Sequence, residues 1–317
     1  MHASALRQTA QALRARLSLP MIAAPMLRVS GPELVIAACR SGVIGAFPTA
    51  NARTIDELDA WLHRMDRAGE AQPAAPYCPN LIIRQSRLKE DLACLSRHKV
   101  EMVITSVGSP SEVVGPLHDA GTLVLADVAS LRHAEKAIAS GVDGVVLLTA
   151  GAGGQTGWVN PFAFVRAVRA IFDGIVVLAG GVSDGRSLRA AEILGADFAY
   201  MGTRCIATAE SLASPVYQQM LVDSTLDDIV TTKAFTGLSA NMLRPSIVRA
   251  GLDPANLDES ATVETANARF GSGGSVATKR WADLWSAGHA VSGVHDVVPM
   301  ATLIQRTAAD YKAAVRG

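Results

Sequence analysis

Up to Met201 the chain repeats one pattern about eight times. Each repeat is a short apolar run, a corner rich in glycine, proline or asparagine, and an amphipathic stretch. The runs are apolar at consecutive positions, as in Val-Val-Leu-Leu at 145–148, which indicates strands buried on both faces. About eight such units predict an α/β fold, the closed (β/α)8 or TIM barrel. An open doubly wound sheet is the alternative, although it usually contains fewer units. The expected strands are 21–24, 43–47, 77–83, 102–105, 123–127, 144–148, 175–178 and 198–201.

The stretches between these runs predict helices. Several of them end at a glycine just before the next strand, where a left-handed C-cap residue is common. These glycines are Gly42, Gly121, Gly141 and Gly195. The expected helices include 54–68, 87–97, 111–120, 131–140, 161–172 and 185–194.

After Met201 the repeating pattern ends. Residues 223–280 are rich in Thr, Asn, Gly and Pro, and long excursions of this kind in compact domains are often functional. The segment is either an insertion packed beside the barrel or a lid over its catalytic face. We therefore expect a barrel at 1–222, an inserted segment at 223–280, and helices at 281–317 that begin near Trp281 and Met300 and complete the barrel.

Charge and composition exclude several classes of protein. Lys plus Arg and Asp plus Glu both number 29, so the basic excess of a nucleic-acid-binding protein is missing. No apolar run approaches the length of about 18 residues that a membrane span needs. The four scattered cysteines form no disulfide or zinc pattern and suit a reducing compartment, so we expect a cytoplasmic protein without a metal. The zero net charge permits a homo-oligomer.

Two glycine corners follow the seventh and eighth expected strands, at Gly180-Gly181 and Gly202-Thr203. Barrels commonly bind phosphate at this place, because glycine lets the backbone approach an anion and free N–H groups then face it. The sequence therefore predicts a phosphate group held by these corners.

The corner at 181–185 also matches the G-x-S-x-G pattern of serine hydrolases. Ser183 would be the nucleophile, with His289 or His295 as the base and Asp223 or Asp228 orienting it. A serine hydrolase is therefore an alternative of a different class.

Four segments resemble the FMN-dependent nitronate monooxygenases, formerly called 2-nitropropane dioxygenases, which are related to flavin-dependent enoyl-ACP reductases. The resemblance covers nearly the whole barrel, and Trp285-Ser-Ala-Gly288 also fits it. The four segments are Pro20-Met-Ile-Ala-Ala-Pro-Met26, Gly151-Ala-Gly-Gly-Gln155, Leu178-Ala-Gly-Gly-Val182 and Ala196-Asp-Phe-Ala-Tyr-Met-Gly-Thr203.

The resemblance implies a set of FMN contacts. One group would lie along the isoalloxazine ring or its surroundings, and a second group would hold the phosphate. The first group is Ala24, Pro25, Met26, Asn80, Asp127, Gly153 and Gly154, and the second is Gly180, Gly181, Gly202 and Thr203.

One position departs from the family pattern. Typical members have a catalytic histidine after the Ala-Gly-Gly segment, where this chain has Gln155. Glutamine cannot take up a proton near neutral pH, so the usual proton abstraction from a neutral nitroalkane loses its agent. We therefore expect Gln155 to hydrogen-bond the substrate or the flavin, and His289 to supply any proton transfer. The other histidines on helices, such as His98, are expected to be solvated.

The resemblance implies an FMN-dependent oxidoreductase that acts on a small molecule. Its first expected activity is oxidation of alkyl nitronates with O2. An alternative is an NAD(P)H-dependent flavin reductase that acts on an enoyl thioester or a quinone.

Overall fold

A computed structural model describes residues 2–71, 74–271 and 273–316 of the chain. Within them, eight parallel strands close into a (β/α)8 barrel in the order β1-β2-β3-β4-β5-β6-β8-β9, and β9 pairs with β1. The strands are β1 Met21–Ala23, β2 Ile44–Pro48, β3 Tyr77–Ile82, β4 Met102–Ser106, β5 Leu123–Val128, β6 Gly144–Leu148, β7 Gly154–Gln155, β8 Ile175–Ala179, β9 Phe198–Met201, β10 Ile229–Thr232 and β11 Ala240–Leu243.

Helices alternate with the barrel strands and continue after them. The α-helices are α1 His2–Ala15, α2 Pro32–Arg40, α3 Ile55–Ala71, α4 Leu88–Arg97, α5 Ser111–Asp119, α6 Leu131–Ala139, α7 Pro161–Arg169, α8 Gly185–Leu194, α9 Thr203–Ile206, α10 Pro215–Asp223, α11 Arg244–Arg249, α12 Val263–Phe270 and α13 Met300–Arg316. Short 3-10 helices lie at Thr49–Asn51, Leu226–Asp228 and His289–Gly293.

Burial on both faces explains the continuous apolar runs. In β6, Val145 and Leu147 pack outward against the helices, while Val146 between them packs inside the barrel. Side chains alternate across a strand, so a strand with two buried faces needs an apolar residue at nearly every position. Each fully buried Val or Leu stabilises the fold by about 1.5–3 kcal/mol.

The predicted barrel is confirmed. The expected strands and helices agree with the structure to within a few residues, and the four expected cap glycines have positive φ. One prediction is wrong: in the described residues from 273 to 288 no helix begins near Trp281, and the helix at the end of the chain starts only at Met300. This last helix, α13, packs against α8 and α2 and takes the place of the eighth barrel helix.

The two ends of the barrel are closed differently. At the N-terminal end, Ala10, Leu13 and Leu17, on and just after α1, pack against the apolar side chains inside the barrel. The C-terminal end is covered by residues 223–288, which we name the cap. Its strands β10 and β11 form an antiparallel sheet with β7, a short strand of the loop between β6 and α7. The cap has its own apolar core, in which Phe235 and Phe270 pack edge to face.

The structure also bears on membrane insertion. Among the described helices, none is both long and apolar enough to cross a membrane.

Candidate active site

A cavity of about 430 Å³ lies between the C-terminal ends of the barrel strands and the cap. This size is within the range of small-molecule and cofactor sites. Every predicted ring and phosphate contact lines it, as does Gln155. The sequence motifs, which are separated by up to about 180 residues, therefore meet in one place. The predicted residues on the cavity wall are Ala24, Pro25, Met26, Asn80, Asp127, Gly153, Gly154, Gln155, Gly180, Gly181, Gly202 and Thr203.

The loop after β1 is held in place by the loop after β2. The side-chain amide of Asn51 donates to the carbonyl oxygens of Met26 and Ser30, at 2.9 and 2.8 Å. The hydroxyl of Ser30 accepts a hydrogen bond from the Met26 N–H at 3.0 Å. These bonds give Ala24, Pro25 and Met26 a fixed position on the cavity wall.

The two glycine corners present backbone donors to the cavity. Among the described residues, none accepts a hydrogen bond from the N–H of Gly181, Gly202 or Thr203. A Cβ added to Gly181 would meet no atom within 4 Å, so the space beside this residue is open. Free N–H groups beside open space can bind an anion.

The backbone beneath these donors is tightly packed. Gly180 has φ +118°, and a Cβ added there would lie 2.3 Å from the Thr149 Oγ1 atom and 2.8 Å from the Ala152 nitrogen. The Thr149 hydroxyl in turn donates to the carbonyl oxygen of Ala179 at 2.8 Å. The corner therefore needs glycine for its conformation and for its close contact with the neighbouring loop.

Strand-end side chains form the floor of the cavity. Asn80 at the end of β3 is buried, and its side-chain oxygen accepts a hydrogen bond from the Ser106 hydroxyl at 3.0 Å. Its amide NH2 remains able to donate to a ligand. Asp127 on β5 and Tyr200 on β9 complete this floor, and burial raises the pKa of Asp127 to about 7.

Gln155 lies where barrel and cap meet. It belongs to β7 and pairs with Ala240 of β11. The next residue of β11, Asn241, is fully buried and donates from its side-chain nitrogen to the carbonyl oxygens of Ala150 and Ala152, at 2.9 and 2.7 Å. The cap therefore fixes the loop that carries Gln155.

His289 does not join the cavity wall. Its side chain is exposed, and its backbone N–H donates to the carbonyl oxygen of Gly151 at 3.0 Å. Its Nδ1 atom lies beside Gly151, which lines the cavity, although His289 itself is not among the lining residues. The expectation that His289 supplies proton transfer therefore stays a prediction.

Ser183 also lies outside the cavity wall. The corner around it begins a helix: Asp184 caps α8 and exchanges hydrogen bonds with Ser187. Among the described residues, no histidine hydrogen-bonds to Ser183. The G-x-S-x-G match is thus explained by helix capping, and the hydrolase alternative is not supported.

The sequence did not identify the aromatic wall of the cavity. Trp281, Trp285 and Tyr217 line it, and the last two stack with ring centroids 4.8 Å apart. The Tyr217 hydroxyl donates to the carbonyl oxygen of Ser286 at 2.5 Å. Trp285 belongs to a motif that the sequence shows, but its partner Tyr217 lies on α10, about 70 residues earlier in the chain. No local sequence pattern links the two residues.

The expectation of solvated histidines is wrong for His98. Its side chain is buried, and its two ring nitrogens lie 2.8 Å from Asp66 and 3.1 Å from Asp59. His63 also reaches Asp59, so three side chains converge with atom types that a metal could use. The Arg97 guanidinium lies 3.3 Å from the same Asp59 oxygen as His98. We therefore interpret this cluster as an ion-pair network that joins α3 and α4.

The fold and the cavity define the class of this protein: a (β/α)8 barrel with a ligand cavity at the C-terminal ends of its strands, beneath a cap. The model of the nitronate monooxygenase family matches residues 78–310. The chain belongs to the nitronate monooxygenase family, and its relatives are enzymes.

Individual relatives agree with this assignment. A nitronate monooxygenase of Paraburkholderia phytofirmans is 29% identical over 278 residues, covering 74% of this chain and 76% of the relative. A methyl-oxo-octahydro-indene-carboxyl-CoA dehydrogenase of Mycobacterium tuberculosis is 27% identical over 235 residues, or 72% of this chain. The match spans 64% of that dehydrogenase, slightly under two thirds of its length.

Solved structures match along nearly the whole chain. The nitroalkane oxidase of Streptomyces ansochromogenes has a TM-score of 0.80 and 25% identity, covering 96% of this chain and 99% of its own. FabK of Thermotoga maritima has a TM-score of 0.78, with 97% of each chain covered; at 23% identity it supports the fold alone.

Proposed function

We propose that the chain is an FMN-dependent oxidoreductase that oxidises alkyl nitronates with O2. The observation that carries the proposal is the pair of glycine corners, whose N–H groups have no acceptor among the described residues and which line the same cavity as the other predicted contacts. When bound, FMN would supply one-electron chemistry, in which an electron taken from the nitronate is passed on to O2.

The residues of the cavity fit FMN in three ways. The N–H groups of Gly181, Gly202 and Thr203 suit a phosphate dianion. Small and apolar side chains such as Ala24 and Met26 suit the face of a planar ring. The buried Asp127 Oδ1 and Tyr200 hydroxyl have no partner among the described residues and suit its polar edge.

The chain contributes binding and orientation to this chemistry. Trp281, Trp285 and Tyr217 exclude water from one side of the cavity and limit the size of the substrate. The amide of Gln155 can donate a hydrogen bond to a nitro oxygen but cannot take a proton from carbon. The substrate that suits this site is therefore the anionic nitronate, which has already lost its α-proton.

Two arginines favour a second candidate, an NAD(P)H-dependent flavin reductase of an enoyl thioester or a quinone. Arg84 and Arg280 both line the cavity. Among the described residues, Arg280 hydrogen-bonds to neutral partners, the Phe235 carbonyl oxygen and the Asn267 side chain. Guanidinium groups in this position suit the phosphates of a nicotinamide nucleotide or of coenzyme A. The similarity to a carboxyl-CoA dehydrogenase also supports this candidate.

Anaerobic rapid mixing separates the two candidates. The protein is reconstituted with FMN and mixed in separate experiments with ethyl nitronate, neutral nitroethane and NADPH, while the flavin absorbance is followed. We expect bleaching by the nitronate, and little by nitroethane or NADPH. Bleaching by NADPH alone would contradict the first candidate and support the second.

A further inference from the structure

Two polar atoms in the floor of the cavity lack partners. The Asp127 Oδ1 atom and the Tyr200 hydroxyl are buried, and no described residue hydrogen-bonds to either. Both residues line the cavity. Buried polar atoms in native proteins nearly always have hydrogen-bond partners, so this pair indicates bonds that a ligand provides.

Among the described residues, no cation stabilises the carboxylate of Asp127. The titratable groups facing it are Tyr200 on β9 and Cys78 on β3, both neutral near pH 7 because burial raises their pKa values. On the neighbouring strands, Val146 of β6 pairs with Asp127, and Thr105 of β4 pairs with the preceding Ala126. Burial is the cause that raises the pKa of Asp127 to about 7.

Other cavity residues do not exchange protons near neutral pH. Gln155 has no ionisable group, and arginine guanidinium groups are not deprotonated in proteins. His289 is exposed and is not among the residues that line the cavity. Asp127 is therefore the side chain placed to hold or release a proton inside this cavity.

We propose that Asp127 acts as a neutral carboxylic acid that donates a hydrogen bond to an acceptor atom of the bound flavin ring, with the Tyr200 hydroxyl as a second donor. This inference rests on the proposed function and deepens it. A flavin ring offers carbonyl oxygens and unprotonated ring nitrogens as acceptors. By covering the floor it removes the remaining water, which disfavours the carboxylate further. Above pH 7, ring binding thus takes one proton from solvent onto Asp127, and no other bond changes.

Calorimetry measures this proton directly. Titration of the protein with FMN at pH 8, in buffers of different ionisation enthalpy, gives the number of protons taken up on binding. The FMN phosphate does not contribute, since its second pKa of about 6 leaves it a dianion at pH 8. We expect uptake of nearly one proton, because a group with a pKa of about 7 is mostly ionised there. The dissociation constant should rise above pH 7 by up to about tenfold per pH unit.

Three variants test whether Asp127 is the group that takes up the proton. D127N keeps the shape and a donor but cannot titrate, so its FMN affinity should be independent of pH and its uptake zero. Y200F should keep the uptake and bind FMN on the order of tenfold more weakly. D227N, which changes an exposed carboxylate of the cap, should behave as the wild type.

The outcomes separate this inference from the proposed function. If no variant and no wild-type sample binds FMN, the proposed function fails, and the inference falls with it. If FMN binds without proton uptake, or with proton release, Asp127 is not a neutral donor and the inference alone is overturned. Uptake that persists in D127N also overturns it.

Discussion

The barrel rim and the cap line the same cavity but use different parts of the chain. The rim offers backbone N–H groups at Gly181, Gly202 and Thr203, and side chains at strand ends that the barrel hydrogen bonds hold in register. The cap offers side chains, above all Trp281 and Trp285, and a few hydrogen bonds tie it to the rim. A site made of backbone N–H groups depends little on which side chains are present, whereas a wall made of side chains changes with each substitution. We therefore propose that the rim sets cofactor affinity and the cap sets substrate choice.

The largest effect should come from the rim. G180A places a Cβ 2.3 Å from the Thr149 Oγ1 atom in a backbone conformation with φ +118°. We expect a loss of stability of about 3 kcal/mol and FMN affinity weaker by about 100-fold, because the free N–H groups move. Denaturant unfolding and fluorescence titration measure the two effects.

G69A is the matched control for this variant. Gly69 lies inside α3, and a Cβ there meets nothing within 4 Å. This variant should gain about 0.5–1 kcal/mol and bind FMN normally. Normal FMN affinity in G180A would break the assignment of cofactor binding to the rim.

The next effect concerns the connection between the two regions. N241A removes the donor to the carbonyl oxygens of Ala150 and Ala152, which leaves buried acceptors without partners. We expect a loss of about 2–3 kcal/mol and faster proteolysis of the cap, with KM raised more than FMN affinity is lowered. The exposed cap residue Asn256 provides the control, since N256A should change stability by less than about 0.5 kcal/mol. If N241A leaves proteolysis and KM unchanged, the cap is not held by this side chain.

The third effect concerns the ionisation of Asp127 on the cavity floor. The folded-state pKa of Asp127, about 7, is above the ordinary value of 3.8, so the folded chain binds more protons than the unfolded chain between these two pKa values. Stability from this group is therefore present below pH 4 and is lost as pH rises to about 7. D127N should stabilise the flavin-free protein by up to about 4 kcal/mol at pH 8 and by almost nothing near pH 4. Unfolding curves at the two pH values test this prediction. An equal change in the free energy of unfolding at both pH values would show that ionisation of Asp127 is not the cause.

The smallest effect should come from Gln155, where rim and cap meet. Q155H introduces a group that titrates near pH 6.5 on the cavity wall. We expect turnover of neutral nitroethane to rise by about tenfold as pH increases through that value, while nitronate turnover stays similar. Q155N is the control and should show no new pH dependence. A Q155H enzyme that remains inactive on nitroethane would show that the replaced histidine alone does not explain substrate choice.

The sequence predicted the barrel and the rim well because both depend on local patterns. A run such as Val145–Leu148 indicates a strand buried on both faces, even when the elements that pack against it are unknown. A C-cap glycine such as Gly195 is explained by its own backbone conformation alone. Strand order then places the corners after β8 and β9 side by side. The family resemblance supplied the remaining contacts around the cavity.

The cap could not be predicted in the same way. Asn241 takes its importance from two carbonyl groups about 90 residues away, and Tyr217 from a tryptophan that it meets only in the folded chain. The segment after Trp281 was expected to be a helix but consists of turns and isolated β-bridges. Within it, the Gly288 N–H donates to the Thr203 hydroxyl. His98 was expected to be solvated because it lies at the end of a predicted helix on the outside of the barrel, yet its ring nitrogens contact two carboxylates of α3.

The role proposed for the glycine corners can be tested with the dissociation constants of FMN and riboflavin, measured side by side. The two ligands share the ring and differ in the phosphate that the glycine corners are proposed to hold. We expect FMN to bind at least about 100-fold more tightly than riboflavin, and most of this difference to disappear in G180A. Equal affinity for the two ligands, or no affinity for either, would contradict the proposed role.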